Sequence, residues 1–229
     1  MITKPQYPER HIPSTMPRLE FTVSHVTSKE DFPGIVSVER AAFRGSQAKR
    51  LMFPPDPSSP ENVANTVRNH EKAWSTNPNA KYLKAVLPDG KIIGMAKWHL
   101  FLDPASTENP WDVDLLPTAN AALYHQFFGD LHAARVKWLG GKRHILMGVL
   151  AVDPDYQKMG VGRELLRWGL DLADEEQVET WIDASAAGHP LYKQLGWVDV
   201  GKVDIDLGSW GVEPKVRSIA SMIRPPKAK

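Results

Sequence analysis

The most marked pattern along the chain is a nearly unbroken apolar run, HILMGVLAV at 144–152. Such a run is typical of a strand that is covered on both faces. After a polar loop, apolar residues recur at helical spacing over 161–175, and ETWID at 179–183 has the composition of a second strand. A strand, a helix and a strand in this order form a βαβ crossover. We therefore predict two adjacent parallel strands, the first of them at the centre of a sheet.

The other apolar patterns predict antiparallel strands and further helices. Strands are predicted at 19–26, 81–87, 91–101, 202–207 and 216–223, and helices at 28–43, 61–74, 119–139 and 189–197. The runs at 81–87 and 91–101 flank Pro88-Asp89-Gly90, a tight-turn sequence that joins them as a hairpin. The proline-rich stretch at 44–60 is predicted to be irregular. A parallel pair together with an antiparallel hairpin indicates a mixed sheet.

The length of 229 residues suits a single domain. We predict an N-terminal arm at 1–18, one domain at 19–224 with a helical insertion near 103–141, and a basic tail at 225–229. The N-terminus resembles neither a signal peptide nor a transit peptide, and no run approaches the roughly 20 apolar residues of a membrane span. We therefore expect a cytoplasmic protein without a membrane partner.

The charge balance and the absence of cysteine exclude several kinds of partner and site. Lys and Arg number 28 against 27 for Asp and Glu, so no overall field favours a nucleic-acid partner, and any anion site must be local. The chain has no cysteine, which excludes disulfides, thiolate zinc sites and a cysteine nucleophile, and which suits a reducing compartment. His125 and His132 share one side of a predicted helix, but without a third ligand we predict no metal site.

The loop QKMGVG at 157–162 lies between the central strand and the following helix. In such a loop backbone N–H groups converge and the helix N-terminus adds partial positive charge, so it suits a phosphate group. A tight turn that needs glycine only for its backbone angles is the simpler alternative. The loop matches neither the GxxxxGK[ST] pattern of a nucleotide triphosphatase nor the full glycine fingerprint of a dinucleotide site.

The loop follows LAVDP and precedes LYKQLGW by about 30 residues. The combination of these motifs at this spacing resembles the GCN5-related N-acetyltransferase family. The resemblance implies a three-layer α/β fold, with a mixed, mostly antiparallel sheet that contains one central parallel pair and has helices on both faces. It also implies that acetyl-CoA is the cosubstrate.

The resemblance assigns roles to particular residues. The cofactor-binding positions that it implies are Leu150, Ala151, Val152, Gln157, Lys158, Met159, Gly160, Val161, Gly162, Arg163 and Ser185. The first three would pair with the pantetheine arm, which requires the next parallel strand to diverge, and the loop would hold the pyrophosphate. Tyr192 would protonate the departing thiolate. The arylalkylamine branch of the family has two histidines on the strand before the loop. The corresponding positions in this chain are Leu146 and Gly148, so both histidines are absent here.

These assignments predict an N-acetyltransferase that acts on a small primary amine. With no thiol to carry the acetyl group, direct attack by the amine in a ternary complex is the simplest route. The alternatives are acetylation of a protein or peptide amine, and a non-catalytic protein that binds CoA or a partner protein. A homodimer is common in the family. Candidate general bases are His99, His144, Asp153 and Asp183, and candidate acceptor contacts are Trp98 and Trp210.

Overall fold

A computed structural model describes residues 19–106, 108–211, 213 and 216–229. The predicted arm at 1–18 lies outside them. The described residues form one seven-stranded sheet in the order β1-β2-β3-β4-β5-β7-β6. Its strands are β1 (Thr22–His25), β2 (Ala80–Val86), β3 (Ile92–Phe101), β4 (His144–Val152), β5 (Glu179–Ala184), β6 (Val198–Asp206) and β7 (Val216–Arg224). The strand β6 begins four residues before its predicted start at 202.

The predicted parallel pair is confirmed. β4 and β5 pair in parallel, whereas every other pairing within the described sheet is antiparallel. The helices are α1 (Phe32–Ala42), α2 (Gln47–Met52), α3 (Pro60–Thr76), α4 (Ala121–Leu139), α5 (Val161–Glu176) and α6 (His189–Gln194). The helix α5 connects β4 to β5, as predicted for the βαβ crossover. None of the helices in the described ranges is both long and apolar enough to cross a membrane.

The helices cover both faces of the sheet, as the resemblance implied. On one face, Phe32 and Ile35 of α1 pack with Met95 of β3. On the opposite face, Val161 and Leu165 of α5 pack with Ala96 and other sheet residues. Apolar side chains from alternate positions of one strand therefore enter different cores, which is the pattern of a sheet buried on both sides.

The helix α2 corrects the prediction that 44–60 is irregular. Ser46 accepts a hydrogen bond from the backbone N–H of Lys49 at 3.2 Å, which caps the helix. Ala48 and Met52 are buried in a cluster with residues of α4. Six residues are too few for apolar periodicity to stand out, so tertiary packing rather than local pattern accounts for this helix.

Trp98, a predicted acceptor contact, lies in the core and does not line the cavity described below. Its side chain is fully buried under α5. A Cβ at Gly169 of α5 would lie 2.4 Å from the indole ring. Glycine at this position thus allows the helix to approach the sheet closely. Trp210, the other predicted acceptor contact, packs against the cluster that α2 and α4 share, and it does not line the cavity described below.

Candidate active site

The central parallel strands separate halfway along their length. β4 pairs with β5 only from His144 to Met147. Beyond that point β4 continues beside β3 as far as Val152, while β5 continues beside β7 as far as Ala184. A bulge in the β3–β4 register falls at Gly148, where the divergence begins. The inner edge of β4 from 148 to 152 is therefore open, as the resemblance required.

A cavity of about 280 Å³ lies at this gap. Residues from both faces of the sheet and from both strands line it. They include Glu39, Lys49, Phe53, His70, Lys97, Trp111, Tyr124, Phe127, Phe128, Met147, Gly148, Leu150, Asp183, Ser185, Tyr192 and Arg217. A volume of this size suits a small molecule or one end of a larger one. The cavity is the candidate active site.

Asp183 lies on β5 next to the gap and lines the cavity. Its carboxylate accepts hydrogen bonds from Trp181 Nε1 at 3.0 Å and from Ser221 Oγ at 3.4 Å. Burial raises the pKa of Asp183 to about 7, although these two donors and Arg135 act to lower it. Near neutral pH, then, both the carboxylate and the carboxylic acid are populated, which suits a group that accepts and releases a proton.

Tyr192 lies on α6, where it faces the cavity beyond the end of β5. The side chain is 7% exposed, and its ring packs edge to face against Trp197 at 5.7 Å. Its hydroxyl has no hydrogen-bond partner among the described residues. Burial raises the pKa of Tyr192, so the phenol keeps its proton at neutral pH. An unpaired O–H that lines a cavity is free to donate to a bound group.

Gly188 leaves the space that the ring of Tyr192 occupies, because glycine has no side chain. A Cβ at Gly188 would lie 2.7 Å from Cε2 and 2.9 Å from the hydroxyl oxygen of Tyr192. Ser185 stabilises the turn before α6, because its hydroxyl accepts a hydrogen bond from the backbone N–H of Gly188 at 3.3 Å. Ser185 also lines the cavity, so it is placed both to shape the turn and to contact a ligand.

The glycine loop brings an uncapped helix N-terminus to the end of β4. Gly160, with φ of 91°, is the N-cap of α5, and none of the described side chains caps that end of the helix. Its left-handed backbone favours glycine, and Lys158 also has a positive φ of 63°. Gln157 donates a hydrogen bond from Nε2 to the carbonyl of Val152 at 3.1 Å, which ties the loop to the strand. The first N–H groups of α5 are thus left for water or an anion.

The remaining loop residues differ in how they are engaged. Arg163 donates to Gln194 Oε1 of α6 at 2.8 Å, which links the two helices beside the loop. Met159 is 52% exposed, whereas Val161 is buried in the core under α5. A Cβ at Gly162 would lie at ordinary contact distance from Leu191 of α6. The two glycines therefore leave the backbone accessible at the helix start, although the apolar side chain of Met159 is also exposed beside it.

Three of the four candidate bases lie away from the cavity lining. His144 is held by Arg135, with 2.7 Å between Arg135 Nη1 and Nε2, and burial lowers its pKa to about 4. Burial likewise lowers the pKa of His99 to about 4, and this ring lies behind the bulge. Asp153 caps the turn after β4 and lies 3.3 Å from Lys91. Only Asp183 remains at the cavity.

Two features of the cavity were missed by the sequence interpretation. One is an aromatic wall, in which Trp111 stacks on Phe128 at 5.0 Å and Tyr124 lies 4.6 Å from Phe128. The other is Lys97, a single lysine within the apolar strand IIGMAKWHLF. Its side chain is 6% exposed, and it makes no hydrogen bond or ion pair with any described residue. A lone lysine in an apolar strand was the signal that could have found it.

Glu39 lines the cavity opposite the sheet and is already paired. It accepts from Lys49 at 2.6 Å and lies 2.8 Å from His70 Nε2, while His70 Nδ1 lies 3.0 Å from the hydroxyl of Tyr82. Burial acts to raise the pKa of Glu39, but Lys49 and His70 hold this pKa well below its usual range. Glu39 is therefore a carboxylate with its charge already compensated.

Comparison with known proteins agrees with this geometry. Residues 47–197 match the Acetyltransferase (GNAT) family. An acetyltransferase of Stachybotrys chartarum is 25% identical over 195 residues, which cover 81% of this chain and 84% of that protein. Arylalkylamine N-acetyltransferase 2 of Aedes aegypti has a similar structure, with a TM-score of 0.62 at 14% identity, covering 90% of this chain and 99% of the other.

The ribosomal-protein-S18-alanine N-acetyltransferase of Escherichia coli is also similar in structure, with a TM-score of 0.51 at 18% identity and coverage of 92% and 97%. Structural likeness at such low identity shows a shared fold and no more. The family match, by contrast, spans well over half of the chain and includes the loop, the gap and Tyr192. The chain therefore belongs to the GNAT family of acetyltransferases.

Proposed function

We propose that this protein transfers the acetyl group of acetyl-CoA to a small primary amine by direct attack within a ternary complex. The observation that carries the proposal is the cavity at the strand gap. It brings together a carboxyl group with a pKa near 7 and an unpaired tyrosine hydroxyl. A base for the amine and a proton donor for the thiolate are the two groups that aminolysis of a thioester needs.

The residues assigned to acetyl-CoA fit that molecule on two observations. The open edge of β4 at Leu150, Ala151 and Val152 leaves a place for the amide groups of a pantetheine arm to pair as a strand would. The uncapped start of α5 at Gly160 offers N–H groups and partial positive charge to the pyrophosphate. The gap then directs the thioester into the cavity between Asp183 and Tyr192.

The reaction follows from these positions. The amine nitrogen attacks the thioester carbonyl carbon as Asp183 accepts one of its protons. The carbon–sulfur bond breaks, and the hydroxyl of Tyr192 donates a hydrogen bond and a proton to the sulfur. Asp183 then releases its proton to solvent and Tyr192 regains one, so the amine loses one proton and the thiol gains one.

A Tyr192→Phe variant tests the proton donor. We expect turnover to fall by about 100-fold or more while the affinity for acetyl-CoA changes little, because the hydroxyl acts at the departing sulfur. Thiol release measures turnover and calorimetric titration measures affinity. Tyr156→Phe is a matched control, since Tyr156 does not line the cavity. Equal turnover in wild type and Tyr192→Phe would remove this role.

A screen of small amines and peptides with the same thiol-release assay tests the acceptor class. Acetylation of small amines is the expected result, because the cavity is small and has an aromatic wall. Acetylation of peptides alone would favour the protein or peptide alternative. Binding of acetyl-CoA without thiol release from any acceptor would favour a non-catalytic role.

A further inference from the structure

Lys97, Gly148 and Asp183 form one row across the sheet. Lys97 of β3 lies next to the bulge at Gly148 in β4, and β4 residues up to Met147 pair in step with β5 up to Ile182, so Asp183 is at the same level. All three line the cavity. The middle position of the row has no side chain, so Gly148 itself places no side chain between the lysine and the carboxyl group, and a Cβ there would lie 3.2 Å from the ring of His99.

Lys97 is a buried cation that has no ion-pair or hydrogen-bond partner for its ammonium group among the described residues. Its Nζ lies 5.4 Å from the centre of the Tyr82 ring, and no described acidic group lies within ion-pair distance. Burial lowers the pKa of Lys97 to about 8, despite the opposing effects of Glu39 and Glu108, so it is mostly charged at neutral pH. Leaving an ammonium group buried and unpaired destabilises a fold unless something outside the chain pairs with it.

The nearby carboxylates do not fill this need. Glu39 is held by Lys49 at 2.6 Å and by His70 at 2.8 Å. Glu108 accepts a hydrogen bond from Asn77 and lies 3.8 Å from His99 Nδ1. The charged residues that line the cavity are Glu39, Lys49, Lys97, Asp183 and Arg217, so cations outnumber carboxylates in the described lining. The remaining walls are aromatic. This chemistry suits a ligand with an anionic end and an apolar middle.

We infer that the acceptor is an amine that also has a carboxylate several bonds away from its nitrogen, and that Lys97 binds this carboxylate. The inference rests on the proposed function, because it places the amine at Asp183. Lys97 and Asp183 lie on strands separated by one other, so two regular strand spacings of roughly 4.8 Å would put their backbones about 10 Å apart, and the divergence of β4 from β5 beyond Met147 makes the separation larger than that. A ligand that spans them needs a spacer, such as a phenyl ring or a short alkyl chain, between its two charged ends.

Two matched pairs of acceptors test the inference in the wild type. One pair is 4-(2-aminoethyl)benzoate and 2-phenylethylamine, and the other is 6-aminohexanoate and hexylamine. Each pair differs at the end remote from the amine. We expect kcat/KM to be about 10- to 100-fold higher for the carboxylate member of at least one pair, as a charge-assisted hydrogen bond would give. The difference should lie mainly in KM, because the contact is made in the ground state as well as in the transition state.

Substitutions of Lys97 test its part in this preference. Lys97→Met removes the charge and keeps an unbranched apolar stem. It should therefore abolish the preference by lowering kcat/KM only for the carboxylate member of each pair. Turnover of 2-phenylethylamine by the same variant shows that the fold is intact. Lys97→Arg should keep part of the preference. Lys81→Met is the matched control, because Lys81 is a lysine of β2 outside the cavity lining.

Three results would overturn the inference. The first is a wild type that acetylates the carboxylate-free amines as well or better, and the second is a preference that persists in Lys97→Met. The third is a calorimetric titration in the presence of CoA in which neither 4-(2-aminoethyl)benzoate nor 6-aminohexanoate binds. Failure of the proposed function is distinct, because it would appear as absence of acetyl-CoA binding or of thiol release with every amine.

Discussion

Replacement of Asp183 by asparagine is expected to stabilise the protein above neutral pH while it abolishes most of the activity. Burial raises the pKa of this carboxyl from 3.8 to about 7. Between these values the unfolded chain releases the proton and the native protein retains it. The unfolded state therefore binds fewer protons, and the free energy of unfolding falls as the pH rises from about 4 to about 7.

The magnitude follows from the shift. A difference of about 3 pKa units at about 1.4 kcal/mol each gives a loss of about 4 kcal/mol in the wild type. Asp183 faces the cavity, where solvent reduces the effect, so we take this as an upper limit and expect about 2 kcal/mol. Asparagine does not titrate, and its amide oxygen can still accept from Trp181. For a chain of this length the variant should melt about 5 °C above the wild type at pH 8.

Thermal unfolding from pH 4.5 to pH 8 measures this effect. The difference in Tm between Asp183→Asn and wild type should be small at the acid end and should grow until about pH 8. Asp171→Asn is the control, because Asp171 is exposed on α5, and it should show no such growth. A difference that stays constant with pH would refute the reasoning. In parallel, turnover of Asp183→Asn should fall by about 100-fold, and wild-type kcat/KM should rise with pH through about 7.

Two glycines offer further tests. Gly160→Glu should weaken acetyl-CoA binding at least about tenfold, because it places a negative side chain at the helix start where φ is 91°. In calorimetry, Gly160→Ala separates the charge from backbone strain, and full affinity in Gly160→Glu would contradict the loop assignment. Gly188→Ala should lower kcat about tenfold, since its Cβ would lie 2.9 Å from the hydroxyl of Tyr192 and would displace it. Gly129→Ala, which adds a Cβ with nothing within 4 Å, is the control, and unchanged turnover in Gly188→Ala would argue against this positioning role.

Local patterns were sufficient for most of the fold. The βαβ order allows only one common arrangement, so the parallel pair of β4 and β5 followed from three adjacent segments. The helix α2 could not be found in this way, because Met52 and Ala48 are fixed by contacts with α4, which is about 70 residues away in the chain. The face to which Trp98 points was also beyond the sequence. A strand buried on both sides has no polar face to set the direction.

The site was predictable only where a motif marked it. The glycine loop and Tyr192 were assigned from motifs at a fixed spacing, whereas Asp183 was one of four similar candidate bases. What distinguishes it is its place beside the gap, which depends on the bulge at Gly148 and on the pairing of β5 with β7. Lys97 was visible as a charge in an apolar strand, yet its importance depends on the absence of a partner in space.

The gap between β4 and β5 leaves an opening in a sheet that otherwise separates two sets of helices. The proposed contacts to acetyl-CoA lie on the end of β4, the glycine loop and the start of α5. The walls of the acceptor cavity come largely from α1, α3 and α4. Substitutions in one set can therefore accumulate during evolution with little effect on the other. A lineage could exchange acceptors by altering positions such as Lys97 and Trp111 while the donor site stayed constant. This separation explains why a short glycine motif identifies the chemistry and leaves the acceptor unspecified.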